Sequence, residues 1–352
     1  MKLVVMIPCL NEQATLPLVL GSIPNKIPGI DDLEILIIDD GCTDDTVEVA
    51  RRHGVTQFVH HTKTQGLSKS FKDGINRSLE LGADIIALTD GDNQYPQERL
   101  PDLIEPILEG KADVVIADRQ TRTIDHFSRS KKFWQRLGTW VLNQAAGTDV
   151  PDAVSGFRAY SREAALELNP IANYSFATET TIQASHKRQA MVSIPVKTNP
   201  KLRESRQFKS SWEHVRKSSI TIVRAFVMYR PYALFLTLGV FFLMLGALPF
   251  LKFLYELLTQ KTQDVFGPHH LQSLIVGSVL LVAAFISFTL GVIADLIRIN
   301  RLLLEDLLLM EKRRNFGPPW EKPASSISQR ATRSRPAAAL RMMAAPEDSD
   351  KP

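Results

Sequence analysis

Asp90-Gly91-Asp92 sets two carboxylates two residues apart, and Asn93 and Gln94 follow directly. Carboxylate and amide oxygens suit a hard divalent cation, Mg²⁺ or Mn²⁺, which takes few protein ligands and completes its shell with substrate phosphates. Asp, Gly and Asn also build plain turns, so this run decides nothing alone. Two further polar runs add weight. Ile7-Pro8-Cys9-Leu10-Asn11-Glu12 ends one apolar run, and Ile38-Asp39-Asp40-Gly41-Cys42-Thr43-Asp44-Asp45-Thr46 ends another. The latter carries a turn and helix-start signature. Neither G-x-G-x-x-G nor a Walker A sequence occurs, which removes the usual glycine-rich phosphate loops.

Strand-length apolar runs lie at Leu3–Ile7, Leu33–Ile38, Ile85–Leu88 and Val114–Ala117. Their Val and Ile content suits buried parallel strands. Helical patterns alternate with them at Glu12–Ile23, Asp45–His53, Ser68–Leu81 and Glu98–Leu108. Such alternation predicts βαβ units and a mostly parallel sheet covered on both faces. Ligands of these sheets bind beyond the carboxyl ends of the strands. All three polar runs are expected on that one edge.

The chain has 352 residues, 44% of them hydrophobic, and a net charge of +4. That is too apolar for a disordered chain and ample for a buried core. Cys9 and Cys42 are its two cysteines, which excludes a disulfide framework or a cysteine-rich zinc site. The apolar residues are unevenly spread. Leu271–Ala294 runs 24 residues without a charge, and Ala233–Leu258 is apolar apart from Lys252 and Glu256. About 20 apolar helical residues cross a bilayer's hydrocarbon core, so two spans are expected, near 233–258 and 271–296. Pro249 is tolerable within a membrane helix. The N-terminus reads as a strand directly after Lys2, not as a signal peptide.

Residues 197–230 hold nine Lys/Arg against Glu204 and Glu213. Phe208, Trp212, Val215, Ser219, Ile222 and Phe226 fall on one helical face there, as in a basic amphipathic helix at a membrane surface. Between the spans, Thr259–His270 carries Lys261 and the pair His269–His270, read as a short external loop. The outer flanks are basic, with Arg298, Arg301, Lys312, Arg313 and Arg314 after the second span. The positive-inside rule then puts the N-terminal domain and the C-terminus in the cytoplasm. The expected organisation is a catalytic domain over 1–204, an interfacial region over 205–230, two spans within 231–297, a Leu-rich cytoplasmic helix over 298–317 and a disordered tail over 318–352. The charge pattern lacks a nucleic-acid-binding fold to present it.

The runs Ile-Pro-x-x-Asn-Glu, Ile-Asp-Asp-Gly-x-Thr-Asp-x-Thr, Asp-Gly-Asp-x-Gln and Val-Ser-Gly-Phe-Arg (Val154–Arg158) resemble, in order and spacing over roughly residues 1–230, family 2 glycosyltransferases. They look most like the polyprenyl-phosphate branch, which contains dolichol-phosphate mannose synthases and bacterial polyprenyl-phosphate sugar transferases. The resemblance implies a GT-A fold, Rossmann-like with a mostly parallel sheet, joined to a transmembrane helical hairpin and binding a nucleotide-diphosphate sugar. It implies a nucleoside pocket lined by Pro8, Leu10 and Glu12, continued by Ile38, Asp40, Asp90 and Gly91. It assigns Asp92 and Gln94 to a Mg²⁺ or Mn²⁺ ion and Arg119 to phosphate. Ser155, Arg129, Lys131 and Lys132, and Arg203 and Arg206, complete the substrate-binding set. Cys42 stands where serine is common.

The reaction so implied is a single inverting displacement at the sugar's anomeric carbon by the phosphate of a polyprenyl phosphate at the cytoplasmic face. A homo-oligomer is also expected from the family. A phosphate monoester is mostly dianionic at neutral pH, with a second pKa near ~6, and needs no general base. A lipid hydroxyl would need one, and Glu179 in Ala177-Thr178-Glu179-Thr180 is its candidate. A non-catalytic membrane scaffold would have no physical reason to keep Asp90, Asp92 and Gln94. A processive polysaccharide synthase would carry a Gln-x-x-Arg-Trp motif, which does not occur.

Overall fold

The computed structural model describes residues 1–120, 147, 150–170, 176–200, 231–259 and 268–316. The expected amphipathic region 205–230, the tail 318–352, and Arg129, Lys131, Lys132, Arg203 and Arg206 lie outside these residues.

Seven described strands form one sheet: β1 (Lys2–Cys9), β2 (Asp32–Asp39), β3 (Gln57–His60), β4 (Ile85–Leu88), β5 (Val114–Asp118), β6 (Arg158–Ser161) and β7 (Met191–Pro195). Their order is β3-β2-β1-β4-β6-β5-β7. All neighbours are parallel except β6, which runs antiparallel to both β4 and β5. The helices are α1 (Leu16–Ser22), α2 (Thr46–Arg52), α3 (Leu67–Glu80), α4 (Leu100–Leu108), α5 (Arg162–Glu167), α6 (Phe176–His186), α7 (Pro231–Thr259) and α8 (Pro268–Phe316).

Strand alternation sorts the core into two layers. Leu3, Val5, Ile7 and Cys9 of β1 join the residues under α1 and α4. Val4 and Met6 join the opposite layer with Phe71 and Ile75 of α3, Ala164 of α5 and Phe176 of α6. Phe71 stacks on Phe176 with centroids 4.5 Å apart and so ties α3 to α6. Burying such a ring contributes about 1.5–3 kcal/mol.

Gly239 of α7 sits against the Phe288 ring, and Gly246 lies close to the Gly277 carbonyl. The bare glycine surfaces let the two helices approach. Both are long and apolar enough to cross a membrane. The Leu-rich helix expected over 298–317 continues the second apolar helix: a single helix of 49 residues runs from Pro268 to Phe316. No Gly or Pro falls between 292 and 316, and the charges entering there pair along the helix. Arg298 meets Asp295 at 3.0 Å and Arg301 meets Glu305 at 2.8 Å. His269 and His270, expected in the loop, belong to the first turn of α8, behind Pro268 at a favoured helix-opening position.

The far end of α8 docks on the sheet domain. Lys312 Nζ donates to the Leu168 carbonyl at 2.7 Å, Arg313 pairs with Glu163 at 3.0 Å, and Arg162 donates to the Phe316 carbonyl. Leu309 and Phe316 pack on the core beside α5.

Candidate functional site

The register explains which loops meet. Cys9 lies opposite Asp39, and Met6 opposite Leu88, so β1, β2 and β4 end side by side. The three polar runs therefore share one edge, as the sequence predicts. Leu88 also lies opposite Arg158 in the antiparallel β6. Two residues past Leu88 thus face two residues before Arg158, which sets Asp90 against Gly156. A Cβ on Gly156 would come within 2.8 Å of Asp90 Oδ2.

The first loop is laced to the second and third. Asn11, left-handed at φ 57°, accepts the Thr43 N–H at 2.7 Å. Its own N–H donates to Cys42 Sγ at 3.2 Å. Burial pushes the Cys42 thiol up to about 12, against the opposing pull of that N–H. Glu12 is buried; its N–H donates to Thr46 Oγ1 at 2.8 Å. The Thr15 hydroxyl lies 2.8 Å from both the Glu12 carboxylate and the Gly91 carbonyl, and its single hydrogen serves one at a time.

In the second loop Asp40 is already engaged. Its carboxylate accepts from the N–H groups of Gln65 and Gly66, at 2.8 and 2.9 Å, and contacts His61 Nδ1 at 2.7 Å. His61 Nε2 reaches Asp73 at 3.0 Å, and Asp73 pairs with Lys69 at 2.8 Å. Asp40 thus ties the second loop to residues 61–66 and, through His61, to α3. Gly41 at φ 80° passes so close to the Lys63–Thr64 peptide that a Cβ would lie 2.8 Å from it. Ile38 packs in the core over Gly74, leaving its backbone at the strand end. Pro8 and Leu10 are half-buried at the rim.

The third loop carries Asp92 and Gln94, both half-buried. Asp92 Oδ1 accepts the Gln94 N–H at 3.1 Å. Asn93 between them is left-handed at φ 58°. Asn199, beyond β7, donates its N–H to the Gln94 carbonyl at 2.9 Å and its side-chain amide to the Asn93 carbonyl at 3.1 Å. Among the described residues no group of three His, Cys, Asp or Glu side chains is placed to hold a metal. Asp92 and Gln94 instead offer a small all-oxygen set with one charge. That fits Mg²⁺ or Mn²⁺ completed by phosphate oxygens.

Arg119 follows β5. Its Nε and Nη2 bind the two Asp152 oxygens at 2.6 and 3.0 Å. Burial opposes its charge, but Tyr95, Asp152 and Asp90 outweigh that and hold the guanidinium above its ordinary value. Tyr95 is buried, stacks on Phe157 and accepts the Gly156 N–H at 2.9 Å. Burial and Asp90 push its phenol up, against the pull of Arg119.

Ser155 is fully buried, and the motif's last residue, Arg158, is wholly buried too. Arg158 donates to the carbonyls of Ser155 and Ala153 at 2.7 and 2.6 Å and to Thr180 and Thr181 of α6 at 3.2 and 3.0 Å. It is a rivet holding the 153–156 loop to α6. Glu179, on the same helix, is buried; its Oε1 lies 3.4 Å from Gln183 and 4.0 Å from Arg301 of α8.

Asp152, Tyr95, His61 and Asn199 were not singled out by the sequence. Asp152 had a signal, an acid three residues before Ser155-Gly156. Asn199 had none, because its partners lie about a hundred residues away in the chain.

The family model described as glycosyl transferase family 2 matches residues 4–168. An undecaprenyl-phosphate mannosyltransferase of Micrococcus luteus is 27% identical over 206 residues, 56% of this chain and 83% of the relative. A dolichol-phosphate mannosyltransferase of Pyrococcus furiosus is 30% identical over 204 residues, 55% of this chain and 56% of the relative. Glucosyl-3-phosphoglycerate synthase of Mycobacterium tuberculosis, solved with Mg²⁺ and uridine diphosphate, superposes with a TM-score of 0.50 at 22% identity, over 64% of this chain and 78% of that one. This last likeness is one of fold.

Proposed function

We propose that the chain, which matches the glycosyl transferase family 2 model over residues 4–168 on a GT-A-like sheet, is a glycosyltransferase that moves a sugar from a UDP- or GDP-sugar to the phosphate of a polyprenyl phosphate. The observation that carries this reading is the joining of two features in one chain. Acidic Asp90–Gln94 and cationic Arg119 share one sheet edge, and two apolar helices suited to a membrane follow. The mannosyltransferase names of the relatives point to the same acceptor class.

In this reading Pro8, Leu10, Glu12, Asp90 and Gly91 surround the nucleoside, with Asp40 fixing the wall behind it. Asp92 and Gln94 hold Mg²⁺ or Mn²⁺, which when bound neutralises charge on the diphosphate. Arg119 offers its planar fork to phosphate. To do so it shares or leaves Asp152. The acceptor phosphate attacks the anomeric carbon as its C–O bond to the nucleoside diphosphate breaks, which inverts configuration. No side chain needs to take a proton, because the nucleophile is already an anion. Glu179 then serves as a strut between α6 and α8. Arg129, Lys131, Lys132, Arg203, Arg206 and Ser155 are assigned to the substrate-binding region by resemblance. Ser155 acts there by shaping the loop, since it is fully buried.

The spans keep the lipid tail in the bilayer while its phosphate reaches the site. The Lys/Arg-rich flanks support a cytoplasmic position for the sheet domain and the C-terminus, by the positive-inside rule.

The test is purified chain in detergent with Mn²⁺ or Mg²⁺, undecaprenyl phosphate and a panel of labelled UDP- and GDP-sugars. Label should enter an organic-extractable, mild-acid-labile product, and Asp92→Asn should abolish it. Donor hydrolysis without lipid product would sink the acceptor assignment and leave the donor site standing.

A further inference from the structure

We propose that Asn199 is a positioning residue that sets the direction of the Gln94 side chain and, through it, the geometry of the Asp92–Gln94 metal turn. This rests on the functional reading above.

The carbonyl of Asn93 belongs to the peptide plane before Gln94, and the carbonyl of Gln94 to the plane after it. Asn199 holds both, by its side-chain amide at 3.1 Å and its N–H at 2.9 Å. Peptide groups are planar, so pinning the two planes that flank one residue restrains its φ and ψ together. The Cα–Cβ direction of Gln94 is then fixed. Consecutive carbonyls of an extended chain point to opposite sides. Here both reach one residue, Asn199. The N–H of Gln94 is in turn donated to Asp92 Oδ1 at 3.1 Å. Restraining Gln94 therefore restrains the carboxylate beside it.

The rest of the loop is held at the Gly91 carbonyl, 2.8 Å from the Thr15 hydroxyl, and at its ends. Thr89 N–H donates to the Met6 carbonyl at 3.2 Å, and the Gln97 side chain holds Thr89 Oγ1 and the Tyr95 carbonyl at 2.8 and 2.9 Å. Asn199 adds a hold on residues 93 and 94, from a segment beyond β7. Partners that orient metal ligands typically change metal affinity on the order of 10–100-fold when lost.

Asn199→Asp keeps the shape and the backbone N–H but replaces the amide donor with an acceptor facing the Asn93 carbonyl. Asn199→His returns a donor, because its Nδ1 is bonded to Cγ as Asn Nδ2 is. The full-length variants, in detergent with UDP or GDP, are titrated with Mn²⁺, and free Mn²⁺ is read by electron paramagnetic resonance. Hydrogen–deuterium exchange over residues 89–97 and unfolding temperature are measured without metal. The expected result has three parts. Asn199→Asp weakens Mn²⁺ binding about 10-fold or more and speeds exchange at 91–95, Asn199→His recovers most of both, and the unfolding temperature barely moves. Wild-type Mn²⁺ affinity in Asn199→Asp overturns the proposal, whatever its stability. If Asn199→Asp does not fold, Asn199→Ala takes its place under the same criteria. A wild-type chain that binds no Mn²⁺ with either nucleotide sinks the functional reading itself, and this inference with it.

Discussion

Arg119 and Asp152 form a two-bonded ion pair across the mouth of the β5–β6 edge, Nε to Oδ2 at 2.6 Å and Nη2 to Oδ1 at 3.0 Å. The Asp152 side chain is 4% exposed and that of Arg119 21%. Removing one partner strands the other's charge, which costs about 3–5 kcal/mol when a pair is fully buried and less for a guanidinium partly in water. Asp152→Ala should lower the unfolding temperature more than the double variant Arg119→Met/Asp152→Leu does, and both should lose transfer. Thermal unfolding in detergent checks this. A double variant no more stable than Asp152→Ala would show that the pair carries no such cost.

Gly156 has no room for a side chain, since a Cβ there would stand 2.8 Å from Asp90 Oδ2. Overpacking of this kind costs about 1–3 kcal/mol. The nearest movable group is the Asp90 carboxylate. Gly156→Ala should therefore raise KM for the nucleotide sugar about 10-fold with a smaller change in kcat. Steady-state kinetics with varied donor read this, and an unchanged KM would remove Asp90 from the donor pocket.

Glu179 faces Gln183 and Arg301 inside the packing between α6 and α8. Glu179→Gln keeps the shape and loses only the charge. Transfer to a phosphate acceptor should survive within about 10-fold, the scale of one lost charge-assisted contact. Loss of 10²-fold or more, the usual share of a general base, would mean that a hydroxyl is the acceptor.

Asp39 ties β2 to its loop. Burial raises its carboxyl, but His60, at 3.0 Å, and the Cys42 N–H, at 2.7 Å, outweigh burial and hold it below the ordinary 3.8. A depressed carboxylate stabilises the fold above its unfolded value, and that contribution is lost as pH falls through the folded one. Unfolding temperature should therefore drop on acidification below about pH 4, with a shallower acid limb in Asp39→Asn. Equal acid limbs would place the low-pH loss elsewhere.

The sequence made β1, β2, β4 and β5 legible because central parallel strands are continuous apolar runs. It hid β6, whose Arg-Ala-Tyr-Ser carries no such run. Arg158 is buried there because four acceptors from the 153–155 loop and α6 satisfy it, a fact of tertiary structure alone. It also hid the edge strands β3 and β7, which are only half-buried. The site divides the same way. Loops after parallel strands could be placed on one edge by rule, which brought Asp40, Asp90 and Asp92 together. Asp152 reaches Arg119, and Gly156 reaches Asp90, only because β6 runs backwards.

Helix α8 has a mechanical consequence. At about 1.5 Å per residue, its 49 residues make a rod of about 73 Å, of which the hydrocarbon of a bilayer would take about 30 Å. Arg301, Glu305, Leu309, Lys312 and Phe316 form one stripe on the remainder, and that stripe grips the sheet domain. If α8 spans a bilayer, the height and the angular phase of the sheet edge above it are thereby geared to the span. One residue inserted near Ile299 would lift the stripe by about 1.5 Å and swing it by about 100°, while seven would bring it back to nearly the same bearing, two turns higher.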